Sequence, residues 1–155
     1  MRKISLFICV LTIIAVLCGI VLSTVNHMLI YPMPRVSGNG EMRIICVGDS
    51  LTFAQGVVGS RWRNSFSAVL STLIEDSTVV NYGLSNRTLQ STGNRPYTEE
   101  DNYGKSLSEE ADVVIIMLGS NDTKPIYWDA DRFTEEYRAF IRSYMEMESS
   151  PDVYI

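Results

Sequence analysis

The sequence predicts an α/β fold preceded by one membrane helix, on three observations. Short apolar runs recur at 42–47 (MRIICV), 78–82 (TVVNY) and 112–118 (DVVIIML), the pattern of parallel strands buried on both faces. Segments with apolar residues at helical spacing alternate with them. Ahead of all of these, residues 4–25 form a 22-residue run without a charge.

That run is long enough to span a bilayer, which takes about 20 apolar residues. Arg2 and Lys3 precede it, so the N-terminus is expected in the cytoplasm and the rest of the chain outside. The rival is a cleaved signal peptide, whose apolar region is typically about 7–15 residues and ends in an A-x-A-like site. This run is longer and no such site follows. Cys18 suggests a lipoprotein signal, but Leu17 stands where a small residue is needed. Residues 1–25 are therefore read as an uncleaved single-pass anchor with an extracytoplasmic domain, and secretion after cleavage is the alternative. Residues 26–41 are rich in Pro and Gly, lack periodicity and read as a linker. The linker holds His27, the only histidine.

The domain is expected over 42–155. After the strand at 42–47, Trp62, Phe66, Val69, Leu70, Leu73 and Ile74 predict a helix over 61–75. The strand at 78–82 follows, then a polar stretch, 99–110, with a short helix. The strand at 112–118 leads to a helix over 131–148. Its apolar face is Phe133, Tyr137, Phe140, Ile141, Tyr144 and Met145, with Asp129 or Asp131 as cap. Residues 151–155 (PDVYI) read as the start of a fourth strand.

Charge and composition exclude several functions. The 155 residues carry a net −5, and residues 26–155 alone hold 11 basic against 18 acidic groups, a poor surface for nucleic acid. Cys9 and Cys18 fall in the anchor and Cys46 in a strand, which leaves no disulfide pair in the domain. No ligand spacing for a metal and no glycine-rich nucleotide motif occurs, so neither a metal nor a cofactor is expected. Nothing in the sequence indicates an oligomeric state.

In a doubly wound sheet the chemistry lies beyond the carboxyl ends of the strands, here the loops 48–60, 83–98 and 119–130. The first opens Gly48-Asp49-Ser50-Leu51-Thr52, the second runs Gly83-Leu84-Ser85-Asn86-Arg87-Thr88, and the third opens Gly119-Ser120-Asn121-Asp122-Thr123. Alone, Ser50 reads either as an exposed nucleophile or as the N-cap of a strand-to-helix turn. Alone, Asn121 reads either as an oxyanion donor or as a turn residue. The second loop reads as a set of backbone donors or as a plain turn. Tyr97, Tyr103, Tyr127 and Trp128 line a pocket or pack at the rim of the domain. Arg61 and Arg63 meet a substrate anion or start a solvated helix.

Gly-Asp-Ser-Leu, Gly-Leu-Ser-x-Arg-Thr and Gly-x-Asn-Asp, in this order and each after a strand, resemble the GDSL or SGNH hydrolase family over about residues 42–155. The stretch 112–124 is most similar to its arylesterase, acyltransferase and carbohydrate-esterase branch. The resemblance implies a flavodoxin-like three-layer fold with a parallel sheet. It implies Ser50 as the nucleophile that forms an acyl-enzyme, and Asn121 as a side-chain donor to the oxyanion. A further donor, the backbone N–H of a family glycine, falls at Asn86. Gly48, Asp49, Gly119 and Asp122 support these residues, the two carboxylates as loop braces and not as bases. The implied reaction is hydrolysis of short acyl esters, such as acetylated carbohydrates.

The family's Asp-x-x-His block, which supplies the base, is absent from residues 42–155. The expectation is therefore an incomplete domain, the N-terminal part of an esterase whose sheet continues past 151–155. The alternative is a non-catalytic, membrane-anchored domain that holds a glycan with the same loops.

Overall fold

The computed structural model describes residues 2–30, 34–57 and 61–155, with side chains described from residue 8 onward except at 24, 26–30, 61 and 62. The first compact unit holds one helix, α1 (Arg2–Ile30). Its apolar side chains, Ile8, Leu11, Ile14 and Leu22 among them, are exposed. The uninterrupted described side chains of α1 run from 8 to 23, and among the described residues no helix is long and apolar enough to cross a membrane. The side chains of Arg2, Lys3 and His27 lie outside the described residues.

The second unit, Pro34–Ile155, is a three-layer α/β domain. Its strands are β1 (Arg35–Gly38), β2 (Met42–Gly48), β3 (Ser77–Asn81), β4 (Val113–Met117) and β5 (Asp152–Tyr154). They form one five-stranded sheet of order β1-β3-β2-β4-β5. Four strands are parallel, and β1 joins β3 antiparallel at the edge, with Val36 opposite Val80. The expected all-parallel sheet is thereby corrected to a mixed one. The linker expected at 26–41 is corrected as well: α1 runs on through Ile30 and 35–38 is a strand, while 31–33 lie outside the described residues. With one apolar residue in four positions, β1 has no alternation to read.

Strand β2 turns into a short helix, α2 (Ser50–Phe53). Its cap is not Ser50 but Asp49, whose Oδ1 accepts from Leu51 N at 3.0 Å. The helix expected over 61–75 is broken at Ser65 into α3 (Arg61–Asn64) and α4 (Phe66–Leu73). The Ser65 hydroxyl accepts from Ala68 N and starts a new helix, which a serine does readily. Helices α5 (Asp101–Leu107) and α6 (Ala130–Met145) follow, the latter capped by Asp129 through Arg132 N.

The pleat of the sheet sends alternate residues to opposite faces. Ile45, Val47, Val80, Val114 and Ile116 pack on one side with Leu107 of α5 and Phe133, Tyr137, Phe140 and Tyr144 of α6. Ile44, Cys46, Val79 and Ile115 pack on the other with Phe66, Leu70 and Ile74 around α4. Burial pushes the Cys46 thiol up to about 12, so it acts as a small apolar filler. Val69, Leu73 and Met145, expected on apolar faces, are exposed, and Met147 fills the core instead. Tyr97 is corrected from rim to core, fully buried with its ring on Phe140, while Tyr103 is half-buried and stacks on the same ring.

Counting only the parallel strands, the order is 2-1-3-4, and the switch point falls between β2 and β4. Ligands in doubly wound sheets sit outside the carboxyl ends of the strands at that point. Gly48 and Met117 end the two strands opposite each other.

Candidate active site

Ser50 follows β2 and Asn121 follows β4, so the two strands beside the switch point carry them. Close approach is built into both turns. A side chain at Gly48 would come within 2.0 Å of the Met117 carbonyl oxygen. Gly119 holds φ +122°, where L side chains are strained, and its Cα faces the Phe133 ring. The turn after it is a 3-10 helix over Ser120–Thr123.

Two buried carboxylates tie the loops into one assembly. Besides capping α2, Asp49 accepts a short hydrogen bond from the Ser120 hydroxyl and a long one, 3.5 Å, from Asn121 Nδ2. The first and third loops are thus joined directly beside Ser50. Asp122, with no exposed surface, accepts from the backbone N–H groups of Leu89 at 2.9 Å and Gln90 at 2.7 Å. That joins the third loop to the second. Gln90 adds a link at the far end, donating to Tyr127 O and accepting from Asp129 N. The first and second loops meet through Asn81 at the end of β3, whose amide donates to Thr52 O at 2.6 Å and accepts from Gly83 N. Each carboxylate oxygen here replaces lost water with a donor, which burial of the charge requires.

Asn121 is half-buried, and its Nδ2 donates to the Arg87 carbonyl at 2.9 Å. An amide carries two N–H donors; this bond engages one, and the contact to Asp49 at 3.5 Å lies at the limit for the other. Asn86 is exposed and left-handed at φ +64°, a region that asparagine enters more readily than most residues. Ser50 is half-buried at the start of α2, and no acceptor for its N–H is found among the described residues. The loops therefore gather the Ser50 hydroxyl and several N–H donors at one end of the sheet. Such a set suits attack on a carbonyl and stabilisation of the oxyanion that results.

Other expected participants divide. Trp128 is 48% exposed, with its ring 5.2 Å from Phe133, and Ile126 beside it is 81% exposed. Arg63 is exposed, and the side chain of Arg61 lies outside the described residues, as do residues 58–60 of the first loop. Among the described residues no group of His, Cys, Asp and Glu is gathered that would hold a metal. Reasoning from sequence missed Arg87, Glu100, Asn81, Ser120 and Gln90. Arg87 is 1% exposed, and a charged residue between small polar ones was the signal available for it.

The model of the GDSL-like lipase/acylhydrolase family matches residues 46–155. An acetylxylan esterase of Xylanibacter ruminicola is 33% identical over 114 residues, which cover 72% of this chain and 23% of that protein. A carbohydrate acetylesterase family member from Sinorhizobium meliloti superposes with a TM-score of 0.55 at 26% identity, over 73% of this chain and 61% of that one. The native aryl esterase of M. smegmatis gives 0.53 at 25% identity, over 73% and 62%. The chain spans under a quarter of the length of the curated relative and about three fifths of these structures.

Proposed function

As the chain belongs to the GDSL-like lipase/acylhydrolase family, we propose that it is a serine ester hydrolase acting on short acyl esters of carbohydrates, acetyl esters above all. The observation that carries this reading is the Asp49 brace, which ties the turn holding Ser50 to Ser120 and Asn121 across the switch point. In the proposed reaction Ser50 Oγ loses its proton to a base and attacks the ester carbonyl carbon. The negative oxygen takes hydrogen bonds from the backbone N–H groups of Ser50 and Asn86 and from Asn121 Nδ2, which gives up its long 3.5 Å contact to Asp49 for it. The alcohol leaves with a proton, and water then releases the acyl group from Ser50. The names of the acetylxylan esterase and the carbohydrate acetylesterase support the choice of substrate. Exposed Trp128 and Ile126 supply an apolar, aromatic surface at the third loop, suited to the face of a sugar ring.

One sequence observation favours a second reading. The only histidine is His27, so residues 42–155 account for a nucleophile and oxyanion donors but not for a base. A domain that holds acetylated glycans without cleaving them fits that set. Acetate release from acetylated xylan by the full-length protein separates the two. The esterase reading predicts release that Ser50→Ala abolishes. Binding of the polymer with no release supports the second reading.

On the same proposal, residues 4–25 anchor the protein in a bilayer as a single pass, with the domain extracytoplasmic. The support is a continuous helix of 29 residues, about 43 Å long, against about 30 Å of hydrocarbon. Protease added to intact cells is expected to digest the domain while the anchor stays in the membrane fraction. A soluble, full-mass protein in the cytosol would overturn it, and a shortened one in the medium would support cleavage.

A further inference from the structure

Among the described residues Arg87 is the largest fully buried side chain, and no step of the reaction above uses it. Its guanidinium meets Glu100: Nε donates to Oε1 at 2.9 Å, and Nη2 lies 2.9 Å from the same oxygen. Nη1 donates to the Ser85 carbonyl at 2.6 Å. An apolar pair of similar volume often serves stability as well as a buried ion pair does, so stability alone does not account for these residues.

The geometry around Arg87 gives the pair a different task. All peptide bonds of the domain's described residues are trans, so the N–H of Asn86 points opposite to the Ser85 carbonyl. That carbonyl is drawn inward onto a guanidinium that is 1% exposed. The Asn86 N–H is therefore turned outward, and no acceptor for it is found among the described residues. The left-handed φ of Asn86 belongs to the same turn. At the other end of Arg87, its own carbonyl accepts from Asn121 Nδ2 at 2.9 Å and fixes the plane of that amide.

We infer that Arg87, held by Glu100, is a positioning residue that aims both oxyanion donors: the Asn86 N–H through its guanidinium and the Asn121 amide through its carbonyl. The inference rests on the esterase reading and deepens it. A donor swung off its line is lost to the transition state more than to the bound ester, so kcat carries the effect and KM does not. Lysine keeps the charge but not the fork that reaches Glu100 and Ser85 together. Arg87→Lys therefore does not rescue a positioning role, although it rescues a simple charge pair.

The test compares Ser50→Ala, Arg87→Lys and Glu100→Gln in the full-length protein on 4-nitrophenyl acetate. Nitrogen-15 spectra of the Asn86 backbone amide and the Asn121 side-chain amide accompany the kinetics. Ser50→Ala is expected to abolish turnover. Arg87→Lys and Glu100→Gln are expected to lower kcat about 10- to 100-fold, with KM within about twofold. Both amide signals shift, and the melting curve stays cooperative. Where Arg87→Lys does not fold, Glu100→Gln carries the test, since it keeps Arg87 and an acceptor oxygen. Unchanged kcat in both folded variants, with Ser50→Ala inactive, overturns the positioning role and leaves the esterase intact. If the protein has no esterase turnover, or Ser50→Ala keeps it, the esterase reading fails. The amide signals then decide the clamp, and signals unmoved in folded variants overturn it.

Discussion

Val47 on strand β2 and Asp49 just past its end are two residues apart and both hidden from water, yet they are held in unlike ways. Val47 belongs to a cluster of aliphatic and aromatic side chains between the sheet and α6. Asp49 is surrounded by donors: Leu51 N, the Ser120 hydroxyl and the Asn121 amide. The first environment needs volume and tolerates exchange of one hydrocarbon for another. The second needs each lone pair answered and tolerates little, because an unanswered buried acceptor or donor keeps its full desolvation cost. The core makes the domain stable, and the loops make it specific.

Substitutions break this comparison in order of expected size. Phe140 stands where Tyr97, Tyr103 and Tyr144 meet, and Phe140→Ala is expected to cost about 3–5 kcal/mol in a denaturant titration. A cost under about 1 kcal/mol would mean that α6 is not part of the core. The sharpest contrast pairs two changes of little volume. Asp122→Asn faces a backbone N–H with an NH2 group and is expected to cost about 2–3 kcal/mol, whereas Ile45→Val is expected to cost about 0.5–1.5 kcal/mol. Equal costs would erase the distinction between the two regions.

Alkali probes the core through its hydroxyls. Burial raises Tyr97 well above its ordinary 10.0 and also raises Tyr82 and Tyr144; the Glu109 carboxylate adds to the effect at Tyr82. The folded protein keeps protons that the unfolded chain gives up, so stability falls as pH rises above about 10. Thermal melts from pH 8 to 11.5 are expected to show that fall, and Tyr144→Phe should flatten it. A melting temperature unchanged to pH 11.5 would contradict the burial. The smallest effect is at Leu73, 73% exposed at the end of α4, where Leu73→Ala is expected to stay within about 0.5 kcal/mol.

The same contrast explains what could be read from sequence. Strands β2 and β4 were legible because burial on both faces leaves apolar runs, Ile44–Val47 and Val113–Met117, and β3 through its paired Val79 and Val80. Strand β1 was not, since an edge strand of four residues needs only one apolar side chain. The break at Ser65 was hidden because apolar spacing continues across it, and only the hydroxyl bond to Ala68 N reveals the new start. The motif residues Ser50, Asn86 and Asn121 were legible as blocks, since each block is local. Their partners were not: Asp122 reaches back to Leu89 and Gln90, and Arg87 forward to Glu100, over separations that follow no period.

Covalent labelling tests the proposed role of Ser50 as the nucleophile of an acyl-transfer site. The most direct measurement is to label the full-length protein with a fluorophosphonate, which forms a covalent bond to an activated serine, and to locate the added mass on digested peptides. The expected result is one phosphonylated residue, Ser50, with labelling slowed by Asn121→Ala. Esterase activity that persists while Ser50 stays unmodified, or a label on another serine, would contradict it.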